Sequence, residues 1–213
     1  MVEYWNLSVP GVDGTAERRA YLYLPACYDA EPARRFPVLY MFDGHNVFFD
    51  SHATYGKSWG MAEYLDRART PLIVAAVECN HGPNNERLAE YTPYPFRNPR
   101  FGNVKAFGRE TMEWFARSFK PEIDRRARTL PDRRHTFIAG SSMGGLMSLY
   151  AVTAYNQVFS RAMALSPSLW VSPEQLAQEI GQARLGPSTV VYMDYGAREF
   201  ANHAAMRAGF ADA

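Results

Sequence analysis

Arg134-His-Thr-Phe-Ile-Ala-Gly-Ser-Ser-Met-Gly-Gly-Leu-Met-Ser-Leu-Tyr150 is the stretch that decides the fold. It begins as a short apolar run of strand character, passes through a glycine-pinched turn, and continues with the composition of a helix. Gly140-Ser141-Ser142-Met143-Gly144 fits the pattern Gly-x-Ser-x-Gly, with Ser142 at the tip of the turn. Small flanking residues let strand and helix pass close to each other. A sharp turn there strains the serine backbone and lifts its hydroxyl to where a base can reach it. Ser142 is therefore the candidate nucleophile; a glycine-rich strand-to-helix turn without chemistry is the alternative reading.

Working outward, the same strand–helix alternation recurs. Residues 3–9 and 18–24 alternate around Pro10-Gly11-Val12-Asp13-Gly14, which predicts an antiparallel hairpin. Phe36-Pro-Val-Leu-Tyr-Met-Phe42 is nearly continuous apolar sequence, as expected of an interior strand covered on both faces. A helix is expected over 60–68, where Met61, Tyr64, Leu65 and Ala68 share a face, and a buried strand over 71–77. Residues 80–106 read as a long irregular loop, functional or mobile rather than idle. Helical spacing returns over 108–127, with Pro121 expected to kink or split the helix. The helix after Ser142 is expected to reach about Val158, and strands follow at 161–167 and 188–195. Between those strands Ser172-Pro173 predicts a helix with a serine N-cap. A hairpin followed by alternating strands and helices defines an α/β sandwich with a mostly parallel sheet, formed as a single domain over 1–213.

Composition narrows the function classes. The chain has 213 residues, 47% hydrophobic and 21% charged, with a formal net charge of +1. So balanced a charge argues against general electrostatic binding to nucleic acid or membranes. No apolar run approaches the ~18 residues of a membrane span. Met1-Val-Glu-Tyr-Trp-Asn lacks a basic region followed by an apolar one, so no signal peptide is expected and cytoplasm is the default location. Cys27 and Cys79 have no paired spacing and read as reduced, buried thiols. His45, His52, His81, His135 and His203 show no metal-ligand spacing, so no metal is expected.

In open parallel sheets, sites form beyond the carboxyl ends of the strands. Asp43-Gly44-His45-Asn46 follows the strand at 36–42 and is the candidate oxyanion loop: the backbone N–H of His45, with Gly44 next, would join that of Met143, the residue after the serine. His45 as the base itself is disfavoured, because that loop approaches from the wrong side of the serine. Asp194-Tyr195-Gly196-Ala197-Arg198-Glu199 lies at the end of the last expected strand. Glu199, in the loop beyond the glycine, is the preferred acid, and Asp194, inside the strand, the alternative. Only His203 follows the acid as a possible base, four residues on, and it reads more readily as a surface or helix-face residue. Arg87, Glu90, Tyr91 and Trp170 are candidate pocket-lining residues from nearby loops, with Arg87 and Glu90 alternatively bracing their own loop.

Taken together, Leu39-Tyr-Met-Phe-Asp-Gly-His-Asn-Val-Phe48, Ser58-Trp59-Gly60, Arg87 with Glu90-Tyr91-Thr92-Pro93, Ile138-Ala-Gly-Ser-Ser-Met-Gly-Gly145 and Ala164-Leu-Ser-Pro-Ser-Leu-Trp170 resemble one family. It is the esterase family of α/β-hydrolases that includes the enterochelin esterases, S-formylglutathione hydrolase, and feruloyl and acetyl-xylan esterases. The resemblance runs in order from about residue 18. It implies a three-layer α/β-hydrolase sandwich that hydrolyses small acyl or aryl esters through an acyl-enzyme, without metal or organic cofactor. It also places Ser142 as nucleophile, Met143 and Gly44-His45 at the oxyanion hole, and Glu199 as acid. Family members continue into a final strand and a Gly-His loop carrying the base, so this chain is expected to lack the last strand and to be C-terminally truncated. The apolar edge Thr189–Met193 would then invite pairing with a second copy. A hydrolase-fold binding protein without the base, and an acyltransferase using the same serine, are the alternative functions.

Overall fold

The computed structural model describes residues 1–12 and 14–196. Two long strands, β1 (Val2–Gly11) and β2 (Gly14–Tyr23), form the expected antiparallel hairpin. There follow β3 (Val38–Met41), helix α1 (Met61–Arg67) and β4 (Ile73–Val77). A short helix α2 (Glu86–Glu90) and a small hairpin, β5 (Phe96–Asn98) with β6 (Gly102–Val104), come next. Helices α3 (Gly108–Trp114) and α4 (Lys120–Arg126) precede β7 (Thr136–Ser141) and α5 (Met143–Ala154). The described chain closes with β8 (Arg161–Leu165), α6 (Pro173–Gln182) and β9 (Val190–Asp194).

Seven strands form one sheet in the order β1-β2-β4-β3-β7-β8-β9. β2 meets β4 antiparallel, and the pairings from β4 through β9 are parallel. Alternation along the interior strands divides the core between two faces. Tyr40, Phe42, Ala75 and Ile138 pack with Met112, Phe115, Phe119 and Ile123 of the α3–α4 segment and with Leu146 and Met147 of α5. Leu39, Met41, Val74, Ala76 and Ala139 face the other way, toward Leu65 of α1 and toward Val47 and Phe48. The result is a three-layer α/β sandwich with a mostly parallel centre and an N-terminal antiparallel hairpin. α5 is buried from Met143 through Val152, which explains why it shows no polar face.

Three local expectations need correction. The stretch 80–106 is not structureless: it holds α2 and the β5–β6 hairpin, elements of five and three residues too short to display a period. Ser172 does not cap α6; its backbone is left-handed (φ 47°) and its hydroxyl donates instead to the Pro95 carbonyl at 3.3 Å. α5 ends at Ala154, short of Val158. Pro121 does divide its helix. A wider π turn at Phe115–Phe119 separates α3 from α4 and places the proline in the first turn of α4, where a missing N–H is tolerated.

Candidate functional site

Because β3, β7 and β8 are parallel neighbours, with Ser141 opposite Leu165 and Met41 opposite Ala139, β7 and β8 end level and β3 ends two residues earlier on the same side of the sheet. Their following loops meet there. Ser142 links β7 directly to α5 with φ 56° and ψ −118°, a combination that costs a non-glycine residue about 1–3 kcal/mol. The surroundings hold it in place. Its N–H donates to the Leu165 carbonyl at 2.9 Å, and its own carbonyl accepts from Leu146 N–H and Ser168 N–H, both at 3.0 Å. A Cβ on Gly140 would stand 2.5 Å from the Gly144 carbonyl carbon, so strand and helix approach closely only because that position is glycine. Ser142 is exposed although ten consecutive residues after it are buried. Its Oγ lies 3.2 Å from the Oγ of Ser168, which is itself buried.

Met143 opens α5, so its N–H has no acceptor within the helix and lies at the positive end of the helix dipole. Beside it, the loop after β3 turns at Asp43 (φ 56°, ψ 48°) into a 3₁₀ turn, Gly44–Asn46. Gly44 is pressed against β4: a Cβ there would lie 2.9 Å from the backbone of Val77 and from the Tyr21 ring. Arg87 secures the loop with two hydrogen bonds, Nε to Asp43 Oδ1 at 2.7 Å and Nη2 to Oδ2 at 2.6 Å. Burial alone would lower the Arg87 pKa, but the Asp43 carboxylate outweighs it and holds the guanidinium firmly charged. Tyr91, fully buried, lies under the guanidinium, and its hydroxyl accepts from the Asp43 N–H at 3.2 Å.

Arg87 and Glu90 do not brace each other. Glu90 pairs with Arg18 at 2.9 Å and accepts from Asn80 N–H, so the two ion pairs are formed with residues far away in sequence, Arg18 in β2 and Asp43 in the loop after β3. Burial pushes the Glu90 carboxyl upward against the opposing pull of Arg18. Trp170 is half-buried after β8 and meets the Phe96 ring edge-on at 5.6 Å. Asp194 ends β9, where its carboxylate accepts from Ser166 N–H at 3.3 Å and from the Tyr192 hydroxyl at 3.0 Å. Glu199 and His203 lie outside the described residues.

His45 is buried, and burial holds its imidazole below the usual histidine range. Its Nε2 is 3.0 Å from Thr54 Oγ1, and its ring meets that of His81 at 4.4 Å between centroids. Together with Cys79 these histidines bring ligand-forming atoms within 4.8 Å of one another. Spacing alone gave no sign of this cluster, because it joins residues from two loops. Ser168 was likewise hidden, its only signal being its place in the Ser166-Pro-Ser168 segment.

A parallel sheet carrying an exposed, strained serine at the carboxyl end of an interior strand defines a protein of the α/β-hydrolase fold, in the esterase superfamily. The chain belongs to the family described as "Putative esterase", which matches residues 15–212. Uncharacterized protein YbbA of Bacillus subtilis (strain 168) is 29% identical over 186 residues, spanning 85% of this chain and 69% of that protein. Among solved structures, the BES protein from Bacillus cereus superposes with a TM-score of 0.70 at 20% identity, covering 99% of this chain and 79% of that one. The siderophore hydrolase EstA from Aspergillus nidulans gives 0.69 at 19% identity, covering 93% and 70%. At such identities the two structures are likenesses of fold. Among the described residues no helix is long and apolar enough to cross a membrane.

Proposed function

We propose that the chain is a serine carboxylic-ester hydrolase that cleaves small acyl or aryl esters through an acyl-enzyme. The observation that carries the proposal is the backbone of Ser142, a costly conformation that exposes one hydroxyl at the mouth of the sheet. In this reading Ser142 Oγ attacks the ester carbonyl. The developing oxyanion is met by the N–H groups of Met143 and His45, with Gly44 shaping the loop, and by the dipole of α5. His203, oriented by Glu199 or alternatively Asp194, takes the serine proton and returns it to the leaving alkoxide; water then releases the acid. This chemistry asks for no metal or organic cofactor, and the partner is a small ester.

Arg87 and Tyr91 serve in this reading by fixing the oxyanion loop from beneath, and the half-buried Trp170 borders the acyl group. Ser168 holds the Ser142 hydroxyl until the base engages it. Siderophore and feruloyl esters are substrates named for proteins of the same fold, and they set the first compounds to try. β9 is exposed along its length, which supports pairing with a second copy.

The test is turnover of p-nitrophenyl acetate by the chain and by Ser142→Ala. Hydrolysis that falls by three orders of magnitude or so in the variant supports the proposal. Equal rates would assign a binding role instead, and formation of a new ester from an added alcohol would assign acyl transfer.

A further inference from the structure

We propose that His45, Cys79 and His81 form a binding site for one borderline-soft divalent cation of the zinc class, fastening the loop after β3 to the loop after β4. The site adjoins the proposed oxyanion loop, since His45 offers its imidazole here and its backbone N–H there, but its side chains could bind a cation whether or not Ser142 is a nucleophile. β3 and β4 are adjacent and parallel, with Met41 opposite Ala76, so the loops carrying His45 and Cys79-Asn80-His81 leave the sheet side by side. The spacing of Cys79 and His81 is that by which extended chain turns two side chains to one side.

Three observations point to a ligand. The nitrogen, sulfur and nitrogen atoms lie within 4.8 Å of one another, and tetrahedral zinc needs its ligands about 3.4–3.7 Å apart given metal bonds of about 2.0–2.3 Å. Closing the remaining ~1 Å falls to His81, the one exposed member. Second, His45 is 5% exposed, and its Nδ1 is buried without a hydrogen-bond partner. Buried polar atoms are rarely left so. In the tautomer that donates Nε2–H to Thr54 Oγ1, Nδ1 keeps its lone pair for a metal, the arrangement in which metal-bound histidines are held by their second nitrogen. Third, the His45 and His81 rings are in direct contact, edge-on at 4.4 Å between centroids and 78°, so the two loops already hold their imidazoles together.

Burial, reinforced by Asp43, keeps the Cys79 thiol protonated in the absence of a cation. Binding therefore forms a metal–sulfur bond and releases the thiol proton to solvent. Two imidazoles and one thiolate suit zinc over calcium or magnesium, and they leave a fourth position for water on the exposed His81 side.

The experiment is equilibrium dialysis of the chelator-stripped chain against zinc with elemental analysis, followed by cobalt(II) substitution read by absorption. We expect one ion per chain, a thiolate-to-cobalt charge-transfer band with tetrahedral d–d intensity, and a melting temperature that rises with zinc concentration. Affinity should fall by about tenfold or more in Cys79→Ser and in His81→Ala. His81→Ala changes a surface residue and keeps the test open if the buried variant unfolds. Substoichiometric zinc, a cobalt spectrum without the thiolate band, or equal binding by His81→Ala would each overturn the site.

Discussion

Replacing Arg87 with methionine isolates the contact on which the proposed oxyanion loop rests. The substitution keeps most of the side-chain volume and removes both hydrogen bonds to Asp43. It leaves a carboxylate whose side chain is 7% exposed, with its cation gone. Breaking one partner of a fully buried pair costs about 3–5 kcal/mol. Arg87 is 29% exposed, so water can reach part of the vacated space and the lower end, about 3 kcal/mol, is expected. For a chain of this size that corresponds to a melting temperature lower by about 6–12 °C. Asp43→Asn should cost less, because the guanidinium left behind is the more hydrated partner. The double variant should recover about 1.5–3 kcal/mol of the summed loss. Calorimetry of the four proteins gives the cycle, and p-nitrophenyl acetate kinetics on the same samples report the loop. A displacement of His45 N–H by about 1 Å should lower kcat by as much as 100-fold. An Arg87→Met protein melting within ~2 °C of the parent, or strictly additive effects, would refute the buttress.

Three further outcomes follow from the same contacts. Gly44→Ala forces a methyl to within 2.9 Å of the Val77 backbone; it should destabilise by about 1–3 kcal/mol and depress kcat more than it raises KM, and unchanged kinetics would refute the loop's role. Glu90→Gln leaves Arg18, 5% exposed, without its anion, and should lower stability to urea by about 3–5 kcal/mol; an unmoved midpoint would contradict this. Hydrogen bonds from Ser58 N–H, the Ser58 hydroxyl and Lys57 lower the Asp50 pKa from 3.8 to about 2. Because the folded value is the lower one, the stabilisation is complete above about pH 4 and lost as pH falls toward 2. Asp50→Asn should flatten the acid limb of melting temperature against pH in that window alone, and an identical limb would show that the loop does not depend on this charge.

Much of the fold could be read from local pattern. Phe36–Phe42 is apolar throughout because Val38–Met41 are buried on both faces, and that alone requires a covered interior strand. The turn at Ser142 was legible because close approach of β7 and α5 excludes a side chain at Gly140, leaving a visible glycine. Where the decisive contact is distant in sequence, the pattern fails. Arg87 and Glu90 lie three residues apart and read as a pair. The fold instead brings Asp43 to one and Arg18 to the other, 44 and 72 residues away. Ser172 has the composition of a cap, but its hydroxyl is claimed by the Pro95 carbonyl. His45 and Cys79-x-His81 meet only because β3 and β4 are neighbours, which residue spacing cannot express.

The most direct measurement is labelling of the chain with a serine-directed fluorophosphonate, followed by intact mass and peptide mapping. Hydrolysis at Ser142 predicts a single adduct, on the peptide containing Ser142, and none in Ser142→Ala. No adduct, or one that persists in Ser142→Ala, would contradict the assignment of that serine as the nucleophile.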